Sequence, residues 1–497
     1  MKFNVAVGKM QEAKVDSAVL FVRESSLLKD PLLKQIDSAS RNAVKTLLDS
    51  GEFTGKAGEM AVILKPSGFN ATRIILVGVG EAKKISTESY RRAMGVISRA
   101  KALTSSKKAA IFFDPPVDTG LVQAVVEGYL LGSFKMLEYK SSADKDDKSE
   151  LAEIAVFVDS GAKIKKTEAA VRRGEIIADG QLMVRRLATM PSNELTPQIY
   201  ARRIQEYARK EKIECQILDE TAIRKEKMGL VEAVAKGSQE PPRFVVLKYR
   251  GAASGVKPIV LVGKGVTFDS GGISLKPAQD MHEMKGDMTG SAVVLASIIT
   301  AARLKLRQNV VVLMPLVENM PSGKAQKPGD IAKSRKGLTV EIINTDAEGR
   351  LILADALDYA DKFSPQAVID IATLTGAALF VLGYAGAPVL GNRKSLMDQL
   401  RAASKSTSEA IWEMPIWDDH REAMKSSLAD LVNSGGRPAG TITATAFLEN
   451  FIGDWPWAHI DIAYVDVEPK GKAYTPKGAT GFGLRLLVEL LSNWKRP

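Results

Sequence analysis

Hydrophobic and polar positions follow two periods along this chain, and they alternate. In the first third, residues 18–22, 60–64, 73–77, 109–113 and 154–158 carry the apolar or every-second-residue pattern of strands. Between them, 88–102 and 121–131 space their apolar residues as helices do. Residues 1–8 alternate like a further strand and lack the apolar core of a signal peptide. A long helical pattern covers 166–189, and 190–197 ends it, with Thr196 as N-cap and Pro197 in the first turn of the next helix. Strand patterns return at 214–218, 258–263 and 338–343, and helical ones run to about Leu304 and onward from Leu351. This alternation predicts an α/β protein. With 497 residues, two domains are expected, namely 1–165 as a smaller N-terminal α/β domain and 191–497 as the larger one, joined by a linking helix over 166–190. Residues 141–150 form a charged loop without a large apolar side chain, and no repeat or extended low-complexity segment occurs.

Composition narrows the class. Hydrophobic residues make up 45% of the chain, enough for a sizeable core, and no segment has the unbroken apolar length that spans a bilayer. The single cysteine, Cys215, excludes an intramolecular disulfide and fits a reducing cytoplasm; within the strand 214–218 it is expected to fill core. The net charge of +11 raises a nucleic-acid partner as an alternative. The basic residues are scattered, however, as Lys163, Lys165, Lys166, Arg172-Arg173, Arg185-Arg186 and Arg202-Arg203, with no DNA-binding motif. A solvated basic surface is the favoured reading.

The candidate chemistry lies in three segments. Asn344-Thr345-Asp346-Ala347-Glu348-Gly349-Arg350-Leu351 puts two carboxylates and a guanidinium within five residues, just past an expected strand. Open α/β sheets place ligands beyond the carboxyl ends of their strands. Carboxylates this close repel unless a cation lies between them, so the octapeptide suggests a metal site; an acidic helix N-terminus with Arg350 as its surface partner is the alternative. After the strand 258–263 come Lys264, Asp269-Ser270-Gly271-Gly272 and Lys276, and then Met284-Lys285-Gly286-Asp287-Met288 opening a helix. Asp269, Asp287, Asp346 and Glu348 thus all fall at element ends, with Lys264, Lys276 and Arg350 beside them.

These segments, with Ala372-Thr373-Leu374-Thr375-Gly376-Ala377 and Lys477-Gly478-Ala479-Thr480-Gly481-Phe482-Gly483, resemble the motifs of the leucyl aminopeptidase family, cytosolic aminopeptidases with two metals. The resemblance covers about residue 185 to the end. It implies a catalytic α/β domain with a mixed central sheet flanked by helices. Asp269 and Glu348 would bridge two metals, Asp346 would complete one site, and Asp287 with Lys264 the other. An ammonium has no lone pair, so Lys264 would have to ligate deprotonated. An oxygen-dominated ligand set suits manganese, magnesium or zinc. By the same resemblance, Lys276 donates to the carbonyl oxygen as charge develops, and Arg350 holds a bicarbonate ion as general base. Met284, Thr373 and Gly376 would line the pocket for the first side chain, which a flexible methionine and a floor glycine suit to leucine or similar groups. Substrates would be peptides with a free N-terminus, and the assembly a homohexamer.

Competing motifs fail on inspection. His282-Glu283 lacks a second histidine, since Gly286 stands in its place, and none of His282, His420 and His459 is among the proposed ligands. Gly263-Lys264-Gly265 lacks the flanking residues of a phosphate-binding loop. Val77-Gly78-Val79-Gly80 lacks the third glycine of a dinucleotide site and is expected to be a tight turn. Ser270 has no histidine nearby in sequence for a serine triad. Two departures from the family pattern stand out, Arg185-Arg186 where asparagine or aspartate is usual and Tyr464 where glycine is common. A non-enzymatic binding protein on the same fold is the competing function, but it would have no reason to keep all seven metal and electrostatic residues.

Overall fold

The computed structural model describes residues 1–24, 29–113, 118–141 and 149–497; residues 142–148 of the charged loop therefore lie outside the described residues. The chain divides into two units, one of Met1–Asp179 with Lys470–Lys477 and the other of Gly180–Pro469 with Gly478–Pro497. No helix among the described residues is long and apolar enough to cross a membrane.

In the first unit, β1 (Lys2–Val7), β2 (Ser17–Glu24), β3 (Met60–Leu64), β4 (Arg73–Glu81), β5 (Lys108–Phe112) and β6 (Glu153–Val158) form one sheet in the order β1-β6-β5-β2-β4-β3. Only β3 runs antiparallel to its neighbour. It lies at one edge, and its five apolar residues alternate between exposed and buried. Phe21, Ile75 and Val77 pack with Met94 and Val125 on one face, while Leu20, Ile74 and Leu76 pack with Leu33 and Ile36 on the other.

Three expectations change here. The helix read over 88–102 is two, Thr87–Ile97 and Lys101–Thr104, because the Ser98 hydroxyl caps the Gly95 carbonyl at 2.8 Å and the chain turns. Val77–Gly80 is not a turn, since β4 runs through it. Gly78 is needed there because a Cβ would sit 1.9 Å from the Lys56 carbonyl oxygen crossing above the strand. The helices Pro31–Ala39 and Ala43–Asp49 were not anticipated, although Asp30 capping the Leu32 and Leu33 amides ahead of Pro31 is a readable start signal.

In the second unit, β7 (Glu214–Leu218), β8 (Arg243–Arg250), β9 (Ile259–Gly263), β10 (Gly265–Asp269) and β11 (Asn309–Asn319) are followed by a side sheet of β12 (Ile331–Lys333), β13 (Thr339–Glu341) and, later, β17 (Leu431–Val432). The main sheet is completed by β14 (Ala367–Ala372), β15 (Ala387–Gly391), β16 (Ile411–Glu413) and β18 (Trp457–Asp461). Its order is β16-β15-β18-β14-β9-β11-β8-β7, with β10 paired to the far end of β11. The sheet is mixed, but β9, β10, β11, β14 and β18 are mutually parallel, so their carboxyl ends share one edge. The largely buried helices Thr289–Arg303 and Gly349–Ala360 pack on it. Cys215, on the edge strand β7, is half-buried rather than core. Thr196 occupies the N-cap of the helix Pro197–Lys210 but makes no side-chain cap bond.

The strand expected over 338–343 is only β13, and it belongs to the side sheet. Beyond Glu341 the amides of Ile342 and Ile343 bond to the Asp330 carbonyl and the Asn433 side chain, not to a ladder. Asp346 and Glu348 therefore reach the main sheet's carboxyl edge from a loop, and not from a strand of that sheet.

Candidate metal centre

Lys264 is the one residue between β9 and β10, which are a single strand interrupted at that point. Its amide bonds to the Ile371 carbonyl of β14 at 3.2 Å, and its carbonyl accepts the Ser291 amide at 2.8 Å. The helix Thr289–Arg303 comes this close because Gly290 has no side chain. A Cβ there would lie 2.2 Å from the Ile371 oxygen and 3.0 Å from the Lys264 nitrogen. Gly349 serves the Lys264 side chain in the same way, since its Cβ would lie 2.8 Å from Nζ.

The ammonium of Lys264 lies 2.8 Å from Asp287 Oδ2 and 2.9 Å from Glu348 Oε1, and it donates to the Thr373 carbonyl at 2.9 Å. Lys276 Nζ lies 2.7 Å from Asp269 Oδ2 and 2.5 Å from Asp346 Oδ1. One oxygen from each of Asp269, Asp346 and Glu348 falls within 4.8 Å of the others. Six of the seven predicted ionic residues thus meet in one place: Lys264 before β10, Asp269 at its end, Lys276 in the loop after it, Asp287 on the turn before the helix Thr289–Arg303, and Asp346 and Glu348 on the loop that enters the helix Gly349–Ala360. The four carboxylates and two lysines leave two negative charges in excess when all are ionised.

That excess shows in the proton affinities. Asp269 is raised to about 6, by burial first and then by the charges of Glu348 and Asp346, against the pull of Lys276 and Lys264. Asp287 is pushed well above the ordinary carboxylate range by burial, and Asp346 is raised for the same reason. Glu348 alone is held low, because Lys264 and Lys276 outweigh its burial. Burial by itself would depress both lysines, but the surrounding carboxylates more than reverse it, and both are raised. Asp287 Oδ2 and Asp346 Oδ1 are within ion-pair reach of a lysine yet off the line of a hydrogen bond, and the buried Glu348 Oε2 has no hydrogen-bond partner. Buried, underpaired carboxylate oxygens in a cluster with surplus negative charge are a fit for divalent cations.

Three residues that sequence reading missed hold this cluster. Asn319, at the end of β11, donates to Asp269 Oδ1 at 2.8 Å and to the Thr345 carbonyl at 3.0 Å. Thr345 donates to the Gly271 carbonyl at 2.6 Å and accepts the Ser274 amide. Asn433 accepts the Ile343 and Asn344 amides and donates to the Asn344 carbonyl at 2.6 Å. Its own carbonyl accepts Arg350 at 2.8 Å. Burial lowers Arg350 to about 10, and its Nε is buried without a hydrogen-bond partner, a donor left free for an anion.

A cleft of about 710 Å³ opens from Asn344, Asp346, Ala347 and Arg350 and continues along 374–377 and 434–442. Gly376 lines it. Thr373 lies deeper, its hydroxyl donating to Asp287 Oδ1 at 2.8 Å, and Met284 is half-buried in the turn before Asp287. His282 is exposed and pairs with Glu283, while Ser270 donates to the Asn319 carbonyl. His459 is buried against Asp370 on neighbouring strands.

Residues 182–488 match the catalytic domain of the cytosol aminopeptidase family, and residues 19–143 match the N-terminal domain of the same family. The chain belongs to the cytosol aminopeptidase family. That makes it a peptidase, a hydrolase of the metal-dependent aminopeptidase type. A probable cytosol aminopeptidase of Syntrophotalea carbinolica is 43% identical over 93% of this chain and 94% of its own length. One from Geobacter sulfurreducens is 42% identical over 94% and 95%. Among solved structures, the bottromycin maturation enzyme BotP in complex with Mn superposes with a TM-score of 0.84 at 32% identity, covering 96% of this chain and 99% of that one.

Both departures from the family pattern have structural consequences. Arg185 is fully buried and donates to the Thr480 carbonyl at 2.9 Å, so it is no part of a basic surface. Tyr464 holds φ at 71°, a left-handed conformation that favours glycine and costs a bulky residue about 1–2 kcal/mol. Its ring meets Tyr384 edge-on at 5.9 Å, and its hydroxyl lies 3.9 Å from where a Gly376 Cβ would be. Tyr464 therefore stands close to Gly376 of the cleft lining.

Proposed function

We propose that this aminopeptidase uses two divalent metals, manganese or zinc or magnesium, held by the cluster above. Asp269 and Glu348 would bridge them, Asp346 would complete one site, and Asp287 with Lys264 the other. The observation that carries this reading is the buried, partnerless Glu348 Oε2 in a cluster with two surplus negative charges. When bound, the metals would supply an acidified water and Lewis-acid stabilisation of the carbonyl oxygen.

The chain's own residues do the rest. Lys264 must release its proton to ligate, and the carboxylates that now hold that proton would be neutralised by the incoming cations. Lys276, with 21% of its side chain exposed against 3% for Lys264, is the more accessible of the two and would donate to the oxygen on which charge develops. Arg350, with its free Nε beside the N-terminal turn of a helix, would hold a bicarbonate as proton acceptor. Met284, Thr373 and Gly376 would shape the pocket for a leucine-like first residue of the peptide. The family resemblance supports a homohexamer, which light scattering would check. The relatives' description as cytosol enzymes and the single thiol support a cytoplasmic setting.

Hydrolysis of leucine p-nitroanilide and of its N-acetyl analogue by metal-stripped and resupplied protein tests the reading. Release from the free amine only, and only with metal, is expected. Equal release from both substrates, or none with any metal, would overturn it.

A further inference from the structure

Fixing the peptide's amine at the metal cluster leaves the rest of the substrate to run along the 710 Å³ cleft, so this inference rests on the reading above. The lining of that cleft is electrically lopsided. Its one acidic side chain is Asp346, at the metal end, and the remainder is neutral apart from two arginines. Arg350 is buried and engaged with the Asn433 carbonyl. Arg437 is exposed, and among the described residues it makes no hydrogen bond or ion pair.

The loop that carries Arg437 is constrained. Gly436 sits at φ 81° and Ala439 at φ 50°, and an alanine in the left-handed region is held there by its surroundings. The Ala439 carbonyl starts the helix Gly440–Glu449 by accepting the Ile442 and Thr443 amides. At the other end, Asn433 ties the loop to Ile343 and Asn344, two residues before Asp346. The guanidinium is thereby carried on a segment braced to the same residues that present the metal ligands.

We propose that Arg437 receives a carboxylate of the peptide beyond the scissile bond, so that the enzyme reads a short substrate at both ends, amine at the metals and carboxylate at the cleft wall. A guanidinium with no protein partner offers a planar pair of donors that matches a carboxylate. The carboxylate is the C-terminus of a di- or tripeptide, or an acidic side chain at the second residue.

The test compares kcat/KM for Leu-Gly and Leu-Gly-Gly with their C-terminal amides, and for Leu-Glu-amide with Leu-Gln-amide, in the wild-type and Arg437→Gln enzymes. A preference of about fivefold to tenfold for the carboxylate-bearing partner is expected, carried mainly by KM and weakened by salt. In Arg437→Gln the ratio should fall to within about twofold, and Arg437→Lys should restore part of it. Which pair shows the effect identifies the source of the carboxylate. A wild-type enzyme that cleaves all pairs without preference overturns the inference and leaves the aminopeptidase reading intact. A preference that survives in Arg437→Gln overturns it as well. Failure to cleave any free-amine substrate removes the reading beneath it, and the inference falls with it.

Discussion

Lys276 and Lys264 look alike in sequence, each a lysine near Asp269, but they differ in burial and partners. Lys264 is enclosed by Asp287, Glu348 and the Thr373 carbonyl, whereas Lys276 spans Asp269 and Asp346 from the open side. Substituting Lys276 with Met should lower kcat by about a hundredfold or more while metal content is retained. Loss of metal in proportion to activity would place Lys276 among the ligands instead. The ionic residues of the site were legible in the sequence because they cluster in three short segments, several of them at element ends close to glycine, as Lys264, Asp287 and Glu348 are. Asn319 and Asn433 were not, since their partners lie 50 and about 90 residues away and neither asparagine has a local signature. Tyr464 could be flagged as a departure, but its left-handed backbone and its approach to Gly376 needed the fold.

At the scale of elements, the site depends on how closely the helix Thr289–Arg303 approaches the interrupted strand β9–β10. Gly290→Ala should destabilise the protein by about 2–3 kcal/mol, because backbone atoms of Ile371 and Lys264 would have to move. Gly323→Ala, with nothing within 4 Å of its Cβ, should stay within about 0.5 kcal/mol of wild type. Denaturant unfolding of both variants checks the contrast, and equal effects would contradict it. Strands with a clear alternating or apolar pattern were read well; the spans over 60–64 and 214–218 coincide with β3 and β7. The pattern overreached at 338–343, where β13 holds only Thr339–Glu341 and the amides of Ile342 and Ile343 bond outside any ladder. It was silent about the parallel pairing of β9, β10, β11, β14 and β18, which gathers the site at one edge.

For the whole molecule, the net charge of +11 conceals a local surplus of negative charge at the centre. That contrast sets the pH dependence. Asp269 has a folded value of about 6 against 3.8 for an ordinary aspartate, so the folded state holds its proton more tightly than the unfolded chain. The stabilisation from that proton is complete below 3.8 and is lost as pH rises through about 6. Metal and proton compete for the same oxygens, so cation binding strengthens over the same rise. The gain in Tm on adding manganese should therefore be larger at pH 8 than at pH 5, and equal gains would contradict the assignment. That the segment Lys470–Lys477 groups with the first unit was beyond sequence reading, being separated from it by some 290 residues of the second.

Metal content per chain is the most direct test of the two-metal centre. Protein stripped of metal, equilibrated with manganese and gel-filtered should carry two ions per chain by mass spectrometry of the metal. Asp346→Asn and Asp287→Asn should each retain about one, and Glu348→Gln should lose both. A wild-type protein that binds no ion, or variants that bind as many as wild type, would contradict the account.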